Sequence, residues 1–235
     1  MFLCAVAPPR LVVATGAWFD GKIGMCPFVK GVPALRTSRN PQAGTIETKP
    51  ISVTRDVYYD MVANHVLPAI RRIWLPSLKD LPILIQHDNA SAHNIHDAMF
   101  ESSCKAFGWN ISTRFQPPNS PDLNVLDLGF FRAIQTLQYE KEASNVDELI
   151  LAVHEAYVEL DVETSENIFL TLQGVMISIL EVSGYNNKLQ HIGKAKLRRI
   201  GQLPESLIVS SDLVATCSDR VLQFEIEDQL ARIAL

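Results

Sequence analysis

At 235 residues, 47% of them hydrophobic and 20% charged, the chain can bury a full core as one domain, or as one domain with a helical appendage. No apolar run reaches the 18 or so residues of a membrane-spanning helix, and residues 1–7, broken off by Pro8-Pro9, lack the basic n-region and length of a signal peptide. The net charge of −5 excludes nucleic-acid binding by bulk charge alone, but residues 1–135 hold 13 Lys/Arg against 10 Asp/Glu (net +3) and residues 136–235 hold 8 against 16 (net −8).

Residues 1–7 read as a buried strand and residues 11–19 as a second, with Asp20-Gly21 as the turn toward a third extended run over 23–29. Residues 31–49, punctuated by Pro33, Asn40-Pro41 and Gly44, show no apolar period and read as a loop. Lys30, Arg36 and Arg39 are its candidates for touching a phosphate backbone, set against the plainer reading of a solvated loop. Thr54 or Asp56 caps a predicted helix whose Tyr58, Met61, Val62, Val66, Ala69, Ile70 and Ile73 recur at spacings of three and four. Pro68 inside it predicts a kink or a restart.

Next come a short strand over 83–85, a helix over 91–107 stopped by Gly108, and a strand over 111–115. A helix entered at Pro121-Asp122 carries the stripe Leu123, Leu126, Phe130, Ala133, Ile134 and Leu137. Past Glu140 the chain turns helical and acidic. Asn145 with Glu148 caps a helix bearing Leu149, Ile150, Val153, Tyr157 and Leu160, and a second helix carries Ile168, Phe169, Leu172, Val175, Met176 and Ile179 toward Gly184. Both stripes read as core packing. Lys194, Lys196, Arg198 and Arg199 form the densest basic segment, and residues 205–235 give only weak helix signals. Cys4, Cys26, Cys104 and Cys217 lack any C-x-x-C spacing and read as reduced, mostly buried thiols.

The organising stretch is the strand that stops at His87-Asp88-Asn89, because open α/β sheets place their chemistry at the carboxyl ends of strands. A second stretch runs from the 111–115 strand through Gln116-Pro-Pro-Asn-Ser-Pro into the helix with Asp127, which lies one 100° step from Leu126 on the stripe's flank. Asp88 and Asp127 read as a pair of metal-holding carboxylates, and Asp122 as a first-turn residue. Holding two carboxylates ~4 Å apart costs about 4 kcal/mol at an effective dielectric of about 20, so such a pair is seldom kept for packing alone.

His87-Asp-Asn-Ala-x-x-His93, followed by Gln116-Pro-Pro-Asn-Ser-Pro-Asp-Leu-Asn-x-x-Asp127 with thirty-eight residues between Asp88 and Asp127, resembles the second and third acidic motifs of mariner-like transposases. The continuation Leu126-Asp-Leu-Gly-Phe-Phe is similar to the plant-type and related branches. The resemblance extends from residue 1 to about residue 214. It implies an α/β, RNase H-like mixed sheet with flanking helices and a C-terminal helical extension. The division is then 1–140 for a partial catalytic core, 141–200 for the extension and 201–235 for a tail. It also implies Mg²⁺ or Mn²⁺ held by Asp88 and Asp127, nuclear DNA as partner, and metal-dependent strand cleavage and transfer.

Asn89 and His93 are expected to hold the loop or approach DNA, and Lys194, Lys196, Arg198 and Arg199 fall where the family has a basic stretch. The family's first catalytic Asp sits upstream of a Met-Phe-Leu segment. The chain is therefore expected to lack that carboxylate and the N-terminal DNA reader, leaving a catalytically incomplete remnant. The alternative is a non-catalytic nucleic-acid- or protein-binding remnant, retained for dimerisation.

Overall fold

The computed structural model describes residues 1–12, 15–35, 43–74, 79–95, 97–182, 194–201, 203–204 and 206–233. Its strands, in chain order, are β1 (Phe2–Val6), β2 (Arg10–Val12), β3 (Ala17–Phe19), β4 (Lys22–Pro27), β5 (Val29–Pro33), β6 (Ile46–Pro50), β7 (Ile83–His87) and β8 (Ile111–Phe115). The helices are α1 (Arg55–Met61), α2 (Leu67–Ile73), α3 (Ala98–Lys105), α4 (Phe131–Tyr139), α5 (Val146–Glu159), α6 (Val162–Glu181), α7 (Lys194–Arg199) and α8 (Ser211–Ile233). Met1–Ser165 forms one compact unit and Glu166–Leu235 a second.

The chain is mixed α/β with a helical C-terminal region, and its sheets are small. β1 pairs antiparallel with β4, β2 with β3 and β5 with β6, while β7 pairs parallel with β8. One mixed RNase H-like sheet is therefore not what the described residues form. β1 and β7 are not hydrogen-bonded to each other, and no described strand bridges them. Two segments read differently from sequence also correct here. The single strand over 11–19 is a hairpin turned at Gly16, where φ is +66°, so β4 returns to β1 and not to its predecessor. The 31–49 loop is bracketed by the β5–β6 hairpin. Gly31 permits that pairing, since a Cβ there would lie 2.8 Å from Ile46 Cγ2.

The 55–73 helix follows its sequence signals closely. Thr54 Oγ1 accepts the Val57 N–H at 3.3 Å, satisfying one orphan donor of the first turn. Between α1 and α2 the residues Val62–Val66 form a π turn, closed by Leu67 N–H to Val62 O, and Pro68 lies in the first turn of α2 where its missing N–H costs little. Tyr58, Val62, Val66, Leu67, Ala69 and Ile70 from this face join Ile23 of β4, Ile83 of β7 and Ile111 of β8 in one apolar cluster. Phe28, Ile95, Phe100, Cys104 and Trp109 complete it. Each fully buried large side chain contributes roughly 1.5–3 kcal/mol. Thr54→Ala should cost the Met1–Ser165 unit about 1 kcal/mol, measurable by urea unfolding.

The other face of β1–β4 packs on α5. Phe2 meets the His154 ring edge-on at 6.4 Å, and Lys22 donates to Val158 O at 2.8 Å. Burial, with Cys26 adding, pushes the Cys4 thiol up to about 12, so it stays a neutral thiol. On α5, Asn145 Oδ1 caps Glu148 N–H at 2.9 Å as its spacing predicts. The buried residues are Ala152, Ala156, Tyr157 and Leu160, while Leu149 is exposed. The buried stripe of α5 is thus shifted toward its two alanines. On α6, Ile168 and Val175 are buried as expected, but Met176 is exposed.

The helix read over 91–107 is shorter than its pattern. Ser91–His93 is a single 3₁₀ turn, and α3 starts only where Asp97 Oδ1 accepts the Phe100 N–H at 2.8 Å. It also stops earlier than Gly108: α3 ends at Lys105 with Ala106 as its C-cap, and Gly108, at φ +76°, closes the 3₁₀ turn Ala106–Gly108 that follows. The tail carries a 23-residue helix, α8, where weak signals were read. Its N-terminal cap is legible in retrospect: Ser210 Oγ accepts the Leu213 N–H at 3.2 Å, with Asp212 in the first turn.

Candidate metal and nucleic-acid site

β7 and β8 run side by side in register from Ile83–Ile111 to His87–Phe115, and Gln116 N–H to His87 O at 2.8 Å closes the ladder. Both acidic motifs therefore leave the sheet at the same, carboxyl end. Asn89 Nδ2 donates to Gln116 O at 2.6 Å, and Gln86 Nε2 donates to Leu123 O at 2.7 Å, tying the Asp88 loop and its strand to the Asp127-bearing segment. The buried Gln116 amide donates to Ser120 O. Asn119 adopts φ +56°, a conformation that Asn tolerates better than most residues.

Asp88 is the first residue past β7. Its Oδ1 accepts Ala90 N–H at 2.9 Å and makes a short contact with His93 Nδ1, while Oδ2 has no hydrogen-bond partner among the described residues. His93 stacks on the Tyr58 ring with centroids 4.0 Å apart, and His87 lies 4.7 Å from the Phe115 ring. Burial, and then the charge of Asp88, raise the Tyr58 phenol, which therefore stays protonated beside the carboxylate.

Asp127 lies on a π turn, Leu126–Phe130, and not on a regular helix as read from sequence. The preceding 3₁₀ turn, Pro121–Leu123, ends at Asn124. Asn124 Nδ2 donates to Asp127 Oδ2 at 2.8 Å and its Oδ1 accepts Leu126 N–H at 3.1 Å, so this one side chain shapes the entry. Phe130 is buried and Asp127 exposed, which places the carboxylate toward solvent. Carboxylate oxygens suit Mg²⁺, which takes one or two of them and keeps several waters. Asp88 and Asp127 fit by donor type. Among the described residues, no group of three or more His, Cys, Asp or Glu side chains converges to hold a metal ion.

The predicted DNA contacts divide. Lys30 is exposed on β5, in a different sheet from the β7 strand that leads to Asp88. Arg36 and Arg39 lie outside the described residues. Lys194 donates to Asn167 O at 2.8 Å and to Thr171 Oγ1, and burial lowers its pKa. Arg198 pairs with Glu166 at 2.9 Å. These two cations are thus engaged by α6, whereas Arg199 is exposed. Lys196 lies on α7, and its side chain is outside the described atoms. No described helix is long and apolar enough to cross a membrane.

Sequence reasoning passed over Tyr58, Gln86, Gln116 and Asn124 as site residues. Two of them carried a signal: Asn124 stands three residues before Asp127, within reach on one turn, and Gln86 alternates with Ile85 and His87 along a strand. No protein-family model, curated protein or solved structure matches the chain.

Proposed function

We propose that this chain is a transposase-type DNA-processing core, related to RNase H-like enzymes, that binds a divalent cation through Asp88 and Asp127 and contacts DNA in the nucleus. The observation that supports it most is the meeting of both acidic motifs at the carboxyl ends of adjacent parallel strands, joined by the Asn89 and Gln86 hydrogen bonds. Phosphodiester cleavage of this type is an in-line displacement, in which bound cations activate the attacking oxygen and neutralise the leaving one. The chain's own part is to place Asp88 at the end of β7, hold Asp127 on the π turn beyond β8, and keep Tyr58 neutral beside Asp88. On this reading the core is catalytically incomplete; among the described residues no group of three or more His, Cys, Asp or Glu side chains comes together to hold a metal ion.

Two measurements test the reading. Mn²⁺ titration followed by electron paramagnetic resonance should show weak binding that Asp88→Asn and Asp127→Asn each reduce by about tenfold or more. Binding unaffected by both variants would remove the metal site. Fluorescence anisotropy with unrelated duplexes should show sequence-independent affinity in the range of about 10⁻⁴–10⁻⁶ M that falls steeply as salt rises. Phosphate contacts made without a groove-reading element carry no base information. Sequence-selective binding that survives raised salt would count against this reading and favour a dedicated reader.

A further inference from the structure

We infer that His93 is a positioning residue for Asp88: stacked on Tyr58, it fixes one carboxylate oxygen so that the other is presented outward to a cation. The inference rests on the metal-site reading of Asp88.

Oδ1 of Asp88 is occupied twice, by Ala90 N–H at 2.9 Å and by His93 Nδ1, whereas Oδ2 is open among the described residues. A carboxylate accepts hydrogen bonds, so the inference requires the hydrogen of this contact on Nδ1. The imidazole plane is held in turn by the Tyr58 ring, 4.0 Å away and tilted by 27°, and Tyr58 is a buried member of the core. Rigidity therefore passes from the packed core through Tyr58 and His93 to the carboxylate.

The direction of support follows from exposure. The Asp88 side chain is 46% exposed and that of His93 21%, so the carboxylate is the outer member of the pair. In an Asp that orients a working histidine, the order is reversed, with the carboxylate buried and the imidazole outward. Partners that hold a metal-binding side chain in place typically carry about 10–100-fold of the metal affinity.

The test uses the full chain and Mn²⁺ alone, with His93→Ala, His93→Asn, His93→Gln and Asp88→Asn. His93→Ala should weaken Mn²⁺ binding about tenfold or more. His93→Asn places an amide N–H on the same Cγ that carries Nδ1 and should restore most of the affinity. His93→Gln, whose amide sits one carbon farther out, should not. A role confined to stability would make the losses follow the thermal unfolding midpoints of the variants instead of the Nδ1 donor.

Nitrogen-15 spectra of the metal-free chain supply the second arm. His93 should be in the Nδ1–H tautomer, and Asp88→Asn should shift its resonances. Mn²⁺ binding that Asp88→Asn abolishes but His93→Ala leaves intact would overturn the positioning role while the metal reading stands. An Nε2–H tautomer would overturn it whatever Mn²⁺ does. The Nδ1–H tautomer in a wild-type chain that binds no Mn²⁺ would overturn the metal reading and reduce the pair to a staple of the loop.

Discussion

Supercoiled plasmid incubated with the purified chain and Mn²⁺ should be nicked no faster than in the protein-free control. Two-metal chemistry needs both ions held about 3.5–4 Å apart, one on the attacking and one on the leaving oxygen. Two carboxylates brought to ~4 Å repel by about 4 kcal/mol at an effective dielectric of about 20, and a cation must offset that before it contributes anything. On the proposed reading, Asp88 and Asp127 alone would hold one ion loosely and give the second no fixed place. Loss of a single preorganised electrostatic contact to a transition state already costs about 10²–10³ in rate, and misplacing an ion costs more. Mn²⁺-dependent nicking that disappears in Asp88→Ala would sink this expectation and show that another residue completes the site.

Phe100→Ala should destabilise the Met1–Ser165 unit by about 3–5 kcal/mol, a large share of the stability of an ordinary domain. Phe100 is fully buried on α3 and edges onto Tyr59 at 5.5 Å. Its removal leaves a cavity bordered by the same cluster that holds Tyr58, and through Tyr58 it reaches the Asp88 loop. Urea unfolding followed by fluorescence reports it, since the buried Trp109 belongs to that cluster. Met99→Ala, one residue earlier and 67% exposed, is the control and should stay within about 0.5 kcal/mol of wild type. Equal effects of the two substitutions would show that α3 does not pack as described.

The helix over 55–73 was legible because cap, period and proline agreed: Thr54, the three-and-four spacing and Pro68 all mark the same element. β7 was legible from its short apolar run Ile83–Ile85 behind Pro82, and β8 from a short segment with Ile111 and Phe115 at its ends, fenced by Gly108 and Gln116-Pro-Pro. The β5–β6 hairpin was not, since Gly31, Pro33 and Pro50 are poor strand formers and the pairing is recorded only between distant residues. The 91–107 segment misled because its composition permits helix throughout, while Asp97 claims the cap six residues in. Of the candidate site, the places of Asp88 and Asp127 beyond two successive strands were legible, and both motifs do leave β7 and β8 at one end. The Asp88–His93–Tyr58 chain was not, because Tyr58 stands thirty residues earlier and reads there as one more apolar stripe position.

The π turn at Val62–Val66 also has a consequence for how this chain can change length. A π turn holds about one residue more than the α turn it interrupts, so the surplus residue is taken up within the turn and not passed on to the helix that follows. Wound as a regular α-helix with that residue kept, the segment would carry α2 round by about 100° relative to α1. Leu67 and Ile70, now buried, would swing off the shared core, and Arg71 and Arg72 would be carried round with them. Composition would hardly differ, yet the phase of the whole apolar face would be lost. A one-residue deletion within Val62–Val66 is therefore the change of length that keeps the phase of α2, whereas the same deletion early in α2 would turn Ile70 and the rest of that helix off the core.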